Sequence, residues 1–376
     1  MTGMLEGGPV LIAGAGIDGL TAAACLLQAG VPVQVFEQAP ALGEVGAGIQ
    51  ISANAARVYA HLGLLPAVEA AGALPETYSF RMFDTGETLH SILLGDGYRA
   101  RHGVPYVTIH RADLHAALVA RVQALAPAAI RLGVRATGVD QDGAGVTLHL
   151  DGGSARGSVL IGADGIRSAI RRQILGDTPA EYTGDAAWRV ILPMQPEWAE
   201  HGLDIVSIWV GPRRHAVTYP LRGGRLVNFV GCVETPGWAD ESWTATRPWE
   251  AMAADFEGWH PAIRAIVEAT PRGGVSTWAL RIRAPVANWT EVRVTLLGDA
   301  AHPTLPYMAQ GAAMAVEDAV VLARALLAHA PERALAAYQA ARLERTARIV
   351  NEPAPTARCS TTPTATPCAP LSHGAT

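Results

Sequence analysis

Short apolar runs that lead into helical patterns appear near both ends of the chain. Residues 10–37 combine two strand-like runs with a helical stretch between them, which predicts a β-α-β unit. An apolar run at 292–297 is followed by a Pro-bearing loop and by helical patterns at 308–329 and 332–350. Strands that alternate with helices in this way are typical of an α/β fold with a parallel, Rossmann-like sheet.

The middle of the chain has a different pattern. Strand-like runs with short turns occupy residues 186–233, and helical stretches follow at 248–259 and 261–269. These runs predict an antiparallel sheet inserted into the α/β fold, and the alternation at 130–150 predicts a second, smaller one. We therefore predict a Rossmann-like domain at 9–177, an inserted substrate domain at 178–289, the return of the first domain at 290–350, and a disordered Pro- and Thr-rich tail at 351–376.

Composition narrows the classes of function. The chain has 376 residues, a formal net charge of −5 and 49% hydrophobic residues, so it can bury a large core and has no basic tract for nucleic acid. Its 4 cysteines lack the spacing of a metal site or a disulfide framework. No uninterrupted apolar run is long enough for a membrane span. We expect a soluble cytoplasmic protein with no metal ion, membrane or nucleic-acid partner.

The first β-α-β unit carries a dinucleotide-binding fingerprint. Gly14 permits the tight turn after the strand, Gly16 lets the backbone approach a pyrophosphate, and Gly19 permits close packing of helix and strand. Glu37, at the end of the second strand, is placed to accept hydrogen bonds from ribose hydroxyls. The alternative is a glycine-rich turn without a ligand, and the fingerprint by itself leaves FAD and NAD open.

Two further strand-like runs end at an acidic residue. One leads into Asp164 and Gly165, and the other into Asp299, which is placed to accept hydrogen bonds from a sugar or polyol. A helix start at Gln310 and Gly311 offers unpaired N–H groups and a partial positive charge. We interpret this last strand, loop and helix start as lying beside a flavin. The alternative is an ordinary strand–loop–helix unit, with a common Asp-Gly turn at the earlier acid.

Four other residues are candidates because of their positions. A glycine-rich loop that suits a close approach to a ligand ends at Gln50, and Arg111 opens a helix from which it could reach a cofactor. In the middle sheet, His215 and Tyr219 share one face because side chains alternate with period two. The alternatives are a surface arginine, a satisfied core histidine and a half-buried tyrosine.

Three segments taken together resemble the FAD-dependent aromatic hydroxylases, which are single-component flavoprotein monooxygenases. The segments are Gly14-x-Gly16-x-x-Gly19, Gly162-Ala163-Asp164-Gly165 and Gly298-Asp299-Ala300-Ala301-His302-Pro303, and the resemblance extends over residues 10–350. It implies an FAD-binding Rossmann-like domain with an inserted substrate domain. It also implies FAD as cofactor, NADH or NADPH as reductant, and O2 as the source of an oxygen atom placed on an aromatic ring.

The resemblance assigns roles residue by residue. The catalytic group would be His215, which handles the substrate phenol, with Tyr219 on the same face and Pro306 bordering the isoalloxazine. The cofactor contacts would be, in chain order, Gly14, Gly16 and Gly19 (pyrophosphate), Glu37 (ribose), Gln50, Arg111 (polyol and phosphate), Asp164 and Gly165 (also the transient NAD(P)H), Asp299 (ribityl chain), and Gln310 and Gly311 (isoalloxazine).

Further motifs resemble the branch that holds salicylate hydroxylase, 3-hydroxybenzoate 6-hydroxylase and 6-hydroxynicotinate 3-monooxygenase. These motifs lie at 43–50, 110–114, 219–224 and 305–311. Salicylate, converted to catechol with loss of CO2, is the preferred prediction. Pro306 stands where the 3-hydroxybenzoate enzymes tend to carry Gln, which ranks that substrate lower.

Two departures from the family pattern bear on activity. Asp18 stands where relatives often have Gly, and the tail after residue 350 does not continue the ordered chain of the relatives. Two alternatives to a hydroxylase are an oxidase or reductase on the same frame and, because of the tail, a degenerate flavin-binding homologue with impaired activity. A monomer or a homodimer is expected.

Overall fold

A computed structural model describes residues 8–43, 47–235, 237 and 245–351. The predicted tail lies outside the described residues after Asn351, as do residues 44–46 of the predicted glycine-rich loop. None of the helices in the described part is long and apolar enough to cross a membrane.

The first half of the chain alternates strands and helices. Its elements are β1 (Val10–Ala13), α1 (Ile17–Gln28), β2 (Val33–Phe36), β3 (Gly48–Ile51), α2 (Ala53–His61), α3 (Leu65–Ala71), β4 (Thr77–Met82), β5 (Thr88–Leu93), α4 (Gly95–His102), β6 (Val107–His110), α5 (Arg111–Leu125), β7 (Ile130–Arg131), β8 (Ala136–Asp142), β9 (Gly145–Leu150), β10 (Gly153–Gly157), β11 (Val159–Gly162) and α6 (Ala169–Leu175).

The second half opens with long strands and closes with two long helices. Its elements are β12 (Glu181–Pro193), α7 (Pro196–Ala199), β13 (Val206–Gly211), β14 (Arg214–Leu221), β15 (Leu226–Glu234), β16 (Thr246–Pro248), α8 (Trp249–Asp255), α9 (Pro261–Ala269), β17 (Gly274–Ile282), β18 (Thr290–Glu291), β19 (Val294–Leu296), 3₁₀ turns at Gly298–Ala300 and Pro306–Met308, α10 (Gly311–Ala328) and α11 (Pro331–Asn351).

The described chain forms two compact units. The first comprises the described residues of Met1–Leu74, Tyr98–Glu181 and Arg281–Glu352, and the second comprises those of Pro75–Gly97 and Tyr182–Leu280. The segment Pro75–Gly97 differs from the sequence prediction, which placed it in the first domain. It belongs to the second unit because β4 pairs in parallel with β13 and β5 pairs with β4.

The first unit is built on a sheet with the strand order β18-β19-β11-β1-β2-β7. All neighbours from β19 to β7 pair in parallel, and β18 adds an antiparallel edge. Strands β1 and β11 are continuous apolar runs whose residues are all buried. Such runs are typical of central parallel strands covered on both faces. The predicted small antiparallel sheet is present as β8, β9 and β10.

The second unit is built on a sheet with the strand order β16-β17-β12-β15-β14-β13-β4-β5. Strands β12–β15 pair antiparallel, as predicted, and the parallel pair between β13 and β4 makes the sheet mixed. On one face, Trp188, Trp209 and Phe229 form a buried cluster with apolar residues of the α8–α9 segment, namely Met252, Phe256 and Ile263. The predicted inserted sheet is therefore covered on one side by helices.

Candidate functional site

Three turns of the first unit follow strands that end at the same edge of its sheet. The last residues of β1, β11 and β19 are paired neighbours in the sheet register; they are Ala13, Gly162 and Leu296. The turns continue the pairing, because Ala163 N donates to Ala13 O at 2.8 Å and Leu297 N donates to Gly162 O at 3.0 Å. The structure thus brings the predicted site residues Gly14, Asp164 and Asp299 to the carboxyl edge of one parallel sheet.

The turn between β1 and α1 requires glycine at two positions. Gly14 has a φ of +105°, and a Cβ at this residue would lie 2.2 Å from the Ala163 carbonyl oxygen. A Cβ at Gly19 would lie 2.1 Å from the Gly14 carbonyl oxygen. Helix α1 begins after its N-cap Gly16 without a side-chain hydrogen bond to the first turn. Its N–H groups are therefore presented at the same edge, where an anion is stabilised by them and by the helix dipole.

Glu37 follows β2 directly and is fixed by backbone donors. Its Oε2 atom accepts a hydrogen bond from Ala15 N, and its Oε1 atom accepts one from Ala39 N, each at 2.9 Å. A carboxylate oxygen has more than one acceptor site, so both atoms keep capacity for ligand hydroxyls. The acid predicted to bind ribose is thus attached to the glycine turn itself.

Only one of the two carboxyl oxygens of Asp164 has a hydrogen-bond partner among the described residues. Its Oδ2 atom accepts a hydrogen bond from Ala169 N at 2.8 Å and so caps α6, whereas its buried Oδ1 atom has no hydrogen-bond partner among the described residues. Burial raises the pKa of this carboxyl above its usual value. A buried acceptor without a donor is costly, and a ligand N–H or hydroxyl would relieve that cost. Gly165, next in the chain, has a φ of +74° and open space where a Cβ would stand.

The carboxyl group of Asp18 lies between two of the turns. Its Oδ1 atom would be 2.7 Å from a Cβ on Gly16, and its Oδ2 atom would be 2.7 Å from a Cβ on Gly298. Because Gly16 and Gly298 have no Cβ, they leave the space that the Asp18 carboxyl group occupies. The pKa of Asp18 is raised to about 7, mainly because burial removes water from the carboxyl group and secondly because of the negative charge of Asp299.

Arg111 belongs to the same electrostatic group. It is the first residue of α5, and its backbone N–H donates to Ala47 O at 2.9 Å. Burial raises the pKa of Asp299. The positive charge of Arg111 partly offsets the rise in pKa of both Asp299 and Asp18. The arginine predicted to contact a cofactor is thus within electrostatic reach of the two acids at the sheet edge.

The start of α10 is held by polar contacts with the α2 region. Gln310 is the N-cap and Gly311 the first residue, with no side-chain cap on the first turn. Gln310 Oε1 accepts from Asn54 Nδ2 at 3.2 Å, and Gln310 Nε2 donates to Ser52 Oγ at 3.3 Å. Pro306 opens the preceding 3₁₀ turn and is exposed. The helix start expected beside a flavin is present and leaves its first N–H groups for a ligand.

A buried ion network that was not predicted from the sequence lies behind this helix start. Asp318 Oδ2 pairs with His302 Nε2, and Asp318 Oδ1 accepts from Arg342 Nε, each at 2.6 Å. Arg342 also pairs with Glu317 at 2.8 Å. Burial alone would raise the pKa of Asp318, but the charges and hydrogen bonds of His302 and Arg342 lower it below its usual value. The network ties α10 and α11 to the loop that carries Asp299.

One sequence signal could have found this network. Asp318 interrupts the apolar stripe that Ala315, Ala319 and Leu322 form along α10, and all four residues are buried. A carboxylate in such a stripe must find a cation, because an unpaired buried charge is very costly. The partner Arg342 lies on the next helix, where it likewise falls among buried residues.

Gln50 has a different setting from the other predicted cofactor residues. It is buried on β3, paired with Thr108 of β6, and its side-chain oxygen accepts a hydrogen bond from the Tyr106 hydroxyl. Tyr106 in turn packs edge-on against Tyr98, with ring centroids 5.8 Å apart. Cofactor binding by Gln50 stays a prediction.

In the second unit, His215 and Tyr219 stand on one face of β14, as predicted. His215 pairs with Cys232 and Tyr219 pairs with Asn228 on β15, and all four side chains are buried. Burial lowers the pKa of His215 to about 4, so its imidazole is neutral near pH 7. Burial raises the pKa of Tyr219 well above its usual value, so its hydroxyl stays protonated.

Comparison with known proteins assigns the family. Residues 8–353 match the sequence profile of a family described as FAD binding domain. The 3-hydroxybenzoate 6-hydroxylase of Polaromonas naphthalenivorans (strain CJ2) is 40% identical over 353 residues, which cover 91% of this chain and 85% of that protein. The chain belongs to the FAD-dependent aromatic hydroxylases. The predicted family, enzyme class and FAD cofactor are thereby confirmed.

Two further similarities extend over most of this aromatic hydroxylase. A 6-hydroxynicotinate 3-monooxygenase of Bordetella bronchiseptica (strain ATCC BAA-588 / NCTC 13252 / RB50) is 37% identical over 354 residues, covering 92% of this chain and 90% of the relative. A crystal structure of Klebsiella pneumoniae HpxO complexed with FAD and uric acid superposes with a TM-score of 0.82 at 29% identity, covering 94% of this chain and 88% of that one. The predicted fold class is confirmed by this likeness.

The sheet edge of the hydroxylase fits FAD. The glycine turn has no room for a Cβ at Gly14 or Gly19, so backbone N–H groups stand where a pyrophosphate can approach them. The orphaned Asp164 Oδ1 atom offers an acceptor to the cofactor. No group of His, Cys, Asp and Glu in the described part of the chain is arranged to hold a metal ion.

Proposed function

We propose that this aromatic hydroxylase acts on a small aromatic acid that carries a ring hydroxyl, with NAD(P)H as reductant and O2 as oxidant. The observation that carries the proposal is the buried face of β14, where a neutral imidazole and a protonated phenol stand four residues apart at His215 and Tyr219. The names of two relatives, a 3-hydroxybenzoate 6-hydroxylase and a 6-hydroxynicotinate 3-monooxygenase, support the same substrate class.

Within this class we rank 3-hydroxybenzoate and 6-hydroxynicotinate before salicylate. The salicylate preference and the lower rank of 3-hydroxybenzoate rested on the sequence resemblance and on Pro306, and the 40% identity to a 3-hydroxybenzoate enzyme outweighs them. Monomer or homodimer, a cytoplasmic location and the choice between NADH and NADPH stay predictions.

The chain's own residues would bind and orient the cofactor and the substrate. FAD, when bound, supplies the redox chemistry that accepts electrons from NAD(P)H and activates O2. The glycine turn and Glu37 would hold its adenosine diphosphate part, Asp299 and Arg111 the polyol, and the start of α10 the ring. Tyr219, protonated, would donate a hydrogen bond to the substrate. His215, neutral, would accept the phenol proton at an imidazole nitrogen, which raises the electron density of the aromatic ring.

A substrate screen tests the proposed function. Holoenzyme is mixed with NADH or NADPH and with 3-hydroxybenzoate, 6-hydroxynicotinate or salicylate, and nucleotide oxidation, O2 uptake, H2O2 and the aromatic product are measured together. We expect at least one acid to stimulate oxidation and to gain one oxygen atom, with release of CO2 only if hydroxylation is decarboxylative. H2O2 without an oxygenated product would indicate an oxidase, and absence of stimulation by every acid would indicate a flavin-binding homologue.

Replacing His215 by Ala should lower coupled product formation by roughly 100-fold or more, because a positioned general base contributes about that much. The neutral base persists down to about pH 4 in the wild type, so its protonation should not limit the rate between pH 6 and 8. Product is quantified against NAD(P)H consumed, with His61→Ala, at an exposed histidine of α2, as control. Unchanged coupling in His215→Ala would remove the base assignment.

The same histidine should make the free energy of unfolding depend on pH. Its pKa is lowered from 6.5 to about 4 in the folded protein, so the unfolded chain binds more protons between these values. The wild type should therefore lose about 3 kcal/mol as the pH falls through this window, and His215→Asn should lack that part of the slope. Denaturant unfolding at pH 7, 6, 5 and 4 measures it, with the exposed His61→Asn as control. Parallel slopes in wild type and His215→Asn would contradict the expectation.

A further inference from the structure

Asp18 places a carboxyl group inside the turn that fits the FAD pyrophosphate. It is the second residue of α1 and lies in the first turn of that helix. Its Oδ1 atom would be 2.7 Å from a Cβ on Gly16, and its Oδ2 atom would be 2.7 Å from a Cβ on Gly298. An anionic group of the chain itself therefore lies at the helix start to which the fingerprint brings an anionic ligand.

The backbone N–H groups at the start of α1 already act on this carboxyl group. Burial raises the pKa of Asp18 to about 7, and the N–H groups of Gly19 and of Asp18 itself oppose that rise. Such N–H groups, together with the helix dipole, are what stabilises a phosphate at a helix start. The Asp18 carboxylate and a pyrophosphate are therefore competitors for the same stabilisation.

Negative charge is concentrated around Asp18. Asp299, in the turn after β19, adds to the rise in the pKa of Asp18, and Arg111 of α5 is the cation with the largest opposing effect. Glu37 is attached to the same turn, because its Oε2 atom accepts a hydrogen bond from Ala15 N. Each phosphate of FAD adds a further negative charge to these acids. Like charges at close range favour protonation of one of them.

Asp18 is the acid of this group that is best placed to become protonated. Both oxygens of Glu37 accept hydrogen bonds from backbone N–H groups, which an ionised carboxylate accepts best. Burial raises the pKa of Asp299, but the positive charges of Arg111 and His302 both oppose that rise. Asp18 has the charge of Asp299 against it instead. A single proton taken up by these acids therefore goes to Asp18.

The remaining groups around Asp18 allow its titration to be isolated. Among the described residues, the titratable groups that face this turn from the surrounding elements are Arg111 and His115 (α5), Glu37 (after β2), Tyr59 (α2), Asp299 and His302 (after β19), Asp318 (α10) and Tyr338 (α11). Burial raises the pKa of both tyrosines, so they stay protonated. Asp318 stays ionised, because its cationic partners outweigh burial and lower its pKa. Both histidines are kept in every variant below.

We propose that Asp18 has to be protonated for this turn to hold FAD tightly, so that binding of the cofactor takes up a proton. The ionised carboxylate would compete with the phosphates for the N–H groups of α1. The protonated carboxyl has an O–H group, which can donate a hydrogen bond to an anion. The inference concerns the cofactor alone and does not depend on which aromatic acid is the substrate.

The test measures FAD affinity as a function of pH. Holoenzyme is diluted at pH 6.5, 7.5 and 8.5, and the released FAD is read from its fluorescence, which gives Kd without turnover. The wild-type Kd should rise by roughly 10-fold or more across this range, because the pKa of Asp18 in the cofactor-free protein is about 7 and affinity falls up to about tenfold per pH unit above it. The slope of log Kd against pH counts the protons taken up.

Asp18→Asn keeps the shape of the side chain but cannot ionise. Its Kd should change by less than about 3-fold across the same range, and at pH 8.5 it should hold FAD roughly 10-fold more tightly than the wild type. Asp96→Asn is the matched control, since Asp96 is an exposed acid in the first turn of α4. This control should keep the pH dependence of the wild type.

A wild-type Kd that is the same at all three pH values would overturn the proposal. An unchanged pH dependence in Asp18→Asn would assign the proton to another group, and weaker FAD binding by this variant at every pH would show that the Asp18 carboxylate assists the cofactor. If Asp18→Asn does not fold, Asp18→Gly, which introduces the residue that relatives often have, decides between the same outcomes.

Discussion

Gly14→Ala should purify without flavin. The residue has a φ of +105°, and the added Cβ would lie 2.2 Å from the Ala163 carbonyl oxygen and 2.7 Å from its carbon. Both the backbone conformation and the contact are forbidden to a side chain, so the turn between β1 and α1 must move away from the turn after β11. Because the same turn presents N–H groups to the pyrophosphate, we expect FAD affinity to fall by more than about 100-fold, together with several kcal/mol of stability.

Flavin content by absorbance and a fluorescence titration with added FAD measure the effect of Gly14→Ala. Gly143→Ala provides the control, since nothing lies within 4 Å of a Cβ built on Gly143 and its φ is not positive. It should retain flavin. Wild-type flavin content in Gly14→Ala would mean that the turn does not carry the cofactor.

Arg342→Met should destabilise the fold by about 3–5 kcal/mol, because it leaves the buried carboxylate of Asp318 without one of its two cationic partners. Asp318 is fully buried and Arg342 is 4% exposed, and the two share a 2.6 Å hydrogen bond. We also expect weaker FAD binding, because Asp318 also holds His302 in the loop after Asp299. We expect a lower midpoint of denaturant unfolding and partial loss of FAD on dilution.

Arg345→Met is the matched control for Arg342→Met. Arg345 also pairs with Glu317, at 2.6 Å, but 48% of its side chain is exposed. Exposed ion pairs contribute only about 0–1 kcal/mol, so this variant should stay near the wild type. Equal losses in the two variants would show that burial of the pair does not set its contribution. In a double variant, Asp318→Asn should recover part of the loss from Arg342→Met, since it removes the stranded charge.

Local patterns predicted the secondary structure of the first unit well. The β-α-β unit predicted at 10–37 is found as β1, α1 and β2, and the helix predicted to begin at Arg111 begins there as α5. These elements are bounded by turn and capping residues within a few positions of their ends, so local sequence contains the information that limits them.

The segment that forms β4 and β5 shows that local patterns do not predict which strands pair. Residues 75–97 were predicted to belong to the first domain because they lie between its first and last residues. They join the second unit because Tyr78 and Phe80 pair with Val206 and Ile208, more than a hundred residues later in the chain. A strand pattern indicates that a segment pairs with other strands but does not indicate which strands these are.

The same limit applied to side chains. The partnership of Asp318 with Arg342 joins two helices, and that of Arg189 with Trp278 joins two strands, so neither has a fixed spacing in sequence. Each member could be recognised alone as a charged or aromatic residue in a buried pattern. Which residue it would meet depends on how the elements pack.

By itself, the sequence determined that the chain is an FAD-dependent aromatic hydroxylase with its glycine turn and acidic strand ends. Parallel strands end at one edge, so Gly14, Asp164 and Asp299 could be expected there from their positions alone. Only the tertiary structure decided that Asp18 lies between Gly16 and Gly298 and that Arg342 of α11 binds Asp318 of α10. The former follow from local backbone geometry, whereas the latter depend on register and packing between segments far apart in the chain.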